Sequence, residues 1–154
     1  MNPKLFLRLA AILMLLHTIG HTFGALSWKE APNETIGTVI NAMQTNHFDF
    51  MGRSTSLANF YQGYGITMIL VLLFIVLLLW LLSHETRNAL AAGLLTPLTI
   101  FLTVLAVIEY IYFFPFAAAF SLVSGIFALI ARIQMISLQR SPPSPNTPSQ
   151  RSIG

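Results

Sequence analysis

The sequence predicts an all-α fold: an integral membrane bundle of four helices, with one outer loop that carries a short amphipathic helix. Three observations predict it. Hydrophobic residues make up 55% of the 154 and charged residues only 8%, against about 25% charged in a soluble globular domain. That is too little charge to cover a water-facing surface. Four apolar runs, at about 5–26, 57–83, 89–114 and 116–139, each reach the ~20 residues a helix needs to cross the hydrocarbon. Inside lipid every backbone N–H and C=O must be paired within the segment, and the period-two alternation of a barrel strand is absent, so helix is the state that fits.

The first run follows Lys4 and is interrupted by Arg8, His17 and His21. It reads as a membrane span rather than a cleaved signal peptide: it is long, histidines break it, and no small-x-small cleavage site follows. The second run contains 66–82, apolar except for Thr67. The third and fourth are joined through Phe114-Pro115-Phe116 without a charge, a tight hairpin turn. Residues 1–140 form one transmembrane domain, and the tail 141–154, rich in Ser and Pro, predicts a disordered cytoplasmic segment. Within the loop 27–56, Pro32-Asn33-Glu34-Thr35 is a helix start, and Ile36, Val39, Ile40 and Met43 then follow helical spacing. Such a helix suits the membrane interface or a cap over the bundle.

Basic residues set the orientation. Lys4, Arg8, Arg87, Arg132, Arg140 and Arg151 fall on the side of both termini, and Lys29 and Arg53 on the other. Both termini are therefore expected in the cytoplasm. No cysteine is present, which removes disulfides, thiol catalysis and thiolate-bound metals. The basic residues do not cluster with aromatics, so nucleic acid is not an expected partner.

Lipid gives helices no hydrophobic reason to associate; small residues and polar contacts do it. His17, Gly20, His21 and Gly24 share one face of the first span, with Gly20 and Gly24 spaced as a GxxxG pair. Tyr61, Tyr64, Gly65 and Met68 share a face of the second, and Thr96, Thr99, Thr103, Ala106 and Tyr110 one of the third. Ala117, Ser121, Ser124, Gly125 and Ala128 form the stripe of the fourth. Packing alone accounts for the small residues.

Depth singles out a polar layer. Counting inward from each outer helix end, His21, Tyr61, Glu109 and Ser121 all lie roughly 6–7 Å down, with Tyr64 at roughly 10 Å and His17 at roughly 13 Å. Glu109 is the only acid inside a span. A carboxyl in hydrocarbon must face the bundle, find a partner, and mark a functional candidate. His21 is its expected partner, the two sharing a proton; the plain alternative is a hydrogen-bonded pair that fixes helix register. The candidate ligand-binding residues are His17, His21, Arg53, Tyr61, Tyr64, Glu109 and Ser121, placed beneath the 27–56 loop. Arg53 is the only Arg on the outer side, able to pair with Asp49, hold lipid phosphate or anchor an anionic ligand. Phe48, Phe50 and Phe60 read as interface aromatics.

No cofactor is named by these residues. His17, His21 and Glu109 offer a weak alternative as three metal ligands, but HxxxH lacks the Glu of HExxH; a b-type haem between the histidines is weaker still.

The clusters His21-Thr22-Phe23-Gly24, Phe48-Asp49-x-Met51-Gly52-Arg53-Ser54 and Phe60-Tyr61-x-Gly63-Tyr64-Gly65 resemble a family of small, uncharacterised bacterial membrane proteins with four spans. The resemblance covers about 5–140. It implies four helices and a bacterial inner (plasma) membrane, and it implies no activity. The architecture is more loosely similar to DoxX-like four-helix membrane proteins, and to the four-span sterol-isomerase-like fold. Neither likeness assigns a role to a residue.

Three function classes follow. The favoured one is binding of a lipid, quinone or other apolar small molecule in an outer-leaflet pocket between the helices. The first alternative is a membrane enzyme with Glu109 and His21 as acid and base. The second is a structural or accessory subunit without chemistry, as a homo-oligomer or with a partner membrane protein.

Overall fold

The computed structural model describes residues 2–140; Met1 and the tail 141–154 lie outside the described residues, and with them the expectation of tail disorder. The elements in chain order are α1 (Pro3–Ser27), α2 (Glu34–Thr45), β1 (His47–Phe50), β2 (Arg53–Ser56), α3 (Leu57–Leu82), α4 (Ala89–Tyr112) and α5 (Pro115–Arg140). The helices α1, α3, α4 and α5 are long and apolar enough to span a membrane. Their ends fall within two residues of the expected spans. The chain is a multi-pass membrane protein built as a four-helix bundle.

Local chemistry sets these ends. Asn2 accepts from the Lys4 N–H, with Pro3 opening α1. Asn33, Ser56 and Asn88 cap α2, α3 and α4 in the same way, each accepting from a backbone N–H of the first turn. Pro115 opens α5 directly after α4 ends, where its missing N–H costs nothing.

Helix α1 packs on both α3 and α5, and α5 packs on both α1 and α4. The spatial order is therefore α3–α1–α5–α4. The buried face of α1 runs through Leu7, Ala10, Met14 and His17, three or four residues apart, with Ala25 further along. Leu72, Ile75 and Leu79 from α3, Leu95, Leu98 and Leu102 from α4, and Ala128, Ala131 and Met135 from α5 complete the core. Leucine and alanine alternate here, so the bundle is closely packed toward the chain termini. Leu70, Phe74, Leu77 and Ile133 point outward and stay exposed, as a lipid-facing surface requires.

Two close approaches hold the packing. A Cβ on Gly125 would meet the Leu102 Cβ at 3.3 Å, and one on Gly65 would meet the Ala25 Cβ at 3.2 Å. The GxxxG pair expected on α1 is not used this way. A Cβ at Gly20 or Gly24 has nothing within 4 Å, because the buried line of α1 runs through residues 14, 17 and 25 instead.

The 28–56 segment holds more structure than expected. The expected helix is α2, and an antiparallel hairpin follows it, pairing His47 with Ser56 and Phe50 with Arg53. Met51 and Gly52 make its turn, both at positive φ (52° and 80°), the geometry of a two-residue hairpin that follows strand twist. Phe50 meets Phe60 edge-on at 5.4 Å, Phe60 stacks on Tyr64, and Trp28 packs on Tyr61 at 5.0 Å. These aromatics form a cluster at the loop end of the bundle.

Candidate functional site

At the loop end the close packing gives way to a cavity of about 510 Å³. Its wall is made by α1 through Leu16, Ile19 and Gly20, by α3 through Met68, and by Phe113, Phe114, Phe116, Ala117 and Phe120 around the α4–α5 turn. Among the described residues, three polar side chains reach it: His17, His21 and Glu109. Leu16, Ile19, Phe113, Phe114 and Phe116 are also exposed on the outside of the bundle. The cavity is therefore bordered by side chains that face lipid.

Glu109 stands on the buried face of α4, in line with Leu98, Leu102 and Leu105, and is only 6% exposed. Its Oε1 lies 3.4 Å from Nε2 of His17, which is equally buried. His17 Nδ1 lies 3.4 Å from the Ser121 hydroxyl on α5, and the imidazole stacks on Phe120. Ser121 also approaches the Glu109 carboxyl. Three helices thus meet in one polar contact, one residue each. Oε2 of Glu109 is buried and, among the described residues, has no partner that meets hydrogen-bond geometry.

The structure thus brings His17, His21, Glu109 and Ser121 together, but it changes the pairing. Glu109 takes His17 in place of the expected His21. The reason is an offset between the helices. Beyond the His17–Glu109 contact α1 runs on to Ser27, while α4 ends at Tyr112, so α1 overshoots α4 by roughly 10 Å. Depth counted from each helix end therefore puts the wrong histidine level with Glu109. His21, one turn higher, places Nε2 at 3.2 Å from the Gly65 carbonyl of α3.

The remaining candidates lie elsewhere. Tyr61 and Tyr64 are exposed and belong to the aromatic cluster, and Arg53 is exposed on β2. Asp49 stands opposite Ser54 in the hairpin, and the Asp49–Arg53 ion pair is not formed among the described residues. No residue of 27–56 lines the cavity. It sits beside the α4–α5 turn rather than beneath the loop. Sequence reasoning missed the ring of Phe113, Phe114, Phe116 and Phe120, though the density of Phe around Pro115 was a legible signal. Among the described residues no three His, Asp or Glu side chains are grouped to hold a metal ion, so His17, His21 and Glu109 do not converge as ligands.

Fold and site together define a class: a four-span membrane protein with a buried acid–imidazole contact at the base of a lipid-bordered cavity. Comparison with protein-family models, with curated proteins and with solved structures finds no match to this chain.

Proposed function

We propose that the protein binds an apolar small molecule, such as a lipid or quinone, in the cavity between α1, α4 and α5. The observation that carries this reading is the cavity itself, about 510 Å³ with a wall that is apolar apart from His17, His21 and Glu109 among the described residues. A volume near 500 Å³ suits a ring head group or a folded acyl chain. The exposed apolar rim favours entry from the bilayer rather than from water.

The excess of basic residues beside both termini supports a cytoplasmic location for them, which puts the cavity in the outer leaflet. The resemblance to small bacterial four-span proteins, on the clusters at 21–24, 48–54 and 60–65, supports the bacterial inner membrane.

Native mass spectrometry of the protein released from its own membrane in nanodiscs tests the reading. The expected result is a co-purifying apolar molecule, lost when Gly20→Phe fills the cavity; a side chain at Gly20 starts in open space, so the fold tolerates it. Recovery of no apolar molecule, or equal recovery from Gly20→Phe, would rule the reading out.

A second reading is acid–base chemistry on the bound molecule, favoured by the 3.4 Å contact between His17 and Glu109. It differs by turnover: the molecule recovered from Glu109→Gln would be chemically different from that recovered from the native protein.

A further inference from the structure

Arg8 is a charge inside a membrane span. It stands in the second turn of α1, roughly 8 Å along the axis from Pro3, and its side chain is half-buried. A guanidinium held among apolar helices needs an anion or water at its N–H groups. Among the described residues no acidic side chain forms an ion pair with it. Glu85 is the one acid of the five at this end of the bundle, exposed in the α3–α4 turn and likewise without an ion pair.

What Arg8 meets is Trp80 of α3. Its Cζ lies over the indole, 5.1 Å from the ring centroid. A guanidinium whose face rests on an aromatic ring keeps its N–H donors at its edge. Nε is buried without a partner among the described residues, which leaves the two terminal nitrogens to make a contact. Lys4 is half-buried one turn earlier on the same face of α1, and the His84 ring stands 6.4 Å from that of Trp80. One turn deeper into the membrane, Ile12 on α1 and Leu77 on α3 are exposed and apolar. The groove where α1 starts and α3 ends thus has a cationic mouth and an apolar floor. It lies at the opposite end of the bundle from the cavity.

We infer that this groove binds an anionic phospholipid of the adjoining leaflet. Arg8 donates from its terminal nitrogens to the phosphate, Lys4 adds a second positive charge, and Trp80 holds the guanidinium plane in place. The apolar floor takes the acyl chain, which a soluble phosphate lacks. A zwitterionic head group would bring its own ammonium to a mouth that is already positive, so the groove favours a lipid with net negative charge. Among the long helices α3 packs chiefly on α1, and the bound lipid bridges these two.

The test places the full chain in nanodiscs of equal parts phosphatidylglycerol and phosphatidylcholine with matched acyl chains. Native mass spectrometry counts the lipids that stay bound on release. Phosphatidylglycerol is expected to exceed phosphatidylcholine by about tenfold. Arg8→Gln is expected to cut that excess about fivefold, and Trp80→Leu, which keeps every charge, about threefold. Arg140→Gln removes an exposed charge at the end of α5, outside the groove, and is expected to leave the excess unchanged. Equal retention of the two lipids by the native protein overturns the inference. A loss in Arg140→Gln as large as in Arg8→Gln also overturns it, since net charge alone would then be at work. Displacement of the lipid by excess glycerol phosphate would make this a soluble-anion site instead. Where Arg8→Gln does not fold, an undiminished excess in Trp80→Leu decides against the groove.

Discussion

At the scale of single residues, Glu109 and His17 are each other's main compensation for being out of water. A lone carboxyl or imidazole among Leu and Phe side chains loses hydration without replacement, whereas at 3.4 Å each gives the other a polar partner. Removing one partner should therefore cost more than removing both. His17→Leu is expected to lower stability in detergent by about 2 kcal/mol, and the double variant H17L/E109L should recover most of that loss. Thermal unfolding of the three proteins measures it; additive losses would show that the contact carries no coupling energy. The importance of Glu109 was legible in the sequence, because an acid that directly continues a run such as Thr103-Val104-Leu105-Ala106-Val107-Ile108 has few innocent explanations. Its partner was not legible. Choosing between His17 and His21 needs the relative height of two helices, and no local feature of either helix encodes that height.

At the scale of elements, the sequence names inward faces with uneven success. The α5 stripe is real: Ala117, Ser121, Ser124, Gly125 and Ala128 are all buried, since small residues there let α1 and α4 come close. On α4 the expected stripe holds only in part: Ala106 is buried, and Thr96 and Thr99 are half-buried. Thr103 and Tyr110 are exposed, and the buried line is Leu95, Leu98, Leu102, Leu105, Ala106 and Glu109. With lipid outside and packing inside, leucine fits either side, so composition fails to choose a face that is itself leucine-rich. The hairpin escaped for another reason. Its strands are only four residues long, too short for alternation to stand out, although Gly52 in a two-residue turn was a usable sign. The two glycine pairs make opposite predictions. Gly125→Leu should destabilise the bundle by about 1–3 kcal/mol, because the new side chain drives into Leu102. Gly24→Ala should be neutral or stabilising by up to ~1 kcal/mol, since its Cβ meets nothing and alanine favours helix. Thermal unfolding of both variants checks the contrast; a Gly24→Ala loss as large as that of Gly125→Leu would mean that a second surface rests on α1.

At the scale of the whole molecule, the four crossings were the most legible feature, because length and hydropathy alone decide whether a run can span lipid. The neighbour order α3–α1–α5–α4 was not, since small-residue faces say which side turns inward and not which helix it meets. The orientation remains a reading of the basic residues, and the absence of native cysteine makes it directly measurable. A single cysteine at Met51, at the exposed hairpin tip, is expected to react in intact cells with a membrane-impermeant maleimide. One at His84, in the exposed α3–α4 turn, should react only after the cells are opened. The reverse pattern would turn the molecule over and move the cavity to the inner leaflet.

The neighbour order has a consequence for how the protein is made. Helix α1 is synthesised before α3, α4 and α5, yet its contact residue Ser121 follows His17 by 104 positions. The ribosome must deliver three more spans before the polar contact can close. Until α5 leaves the insertion machinery, His17 and Glu109 lack their third element and the forming bundle has an unsealed flank. Closure by α5 therefore separates a chain that carries all four spans from an interrupted one. A chain cut short before Ser121 keeps its buried acid but loses the helix that covers it, an exposed polar feature that membrane quality control is suited to recognise.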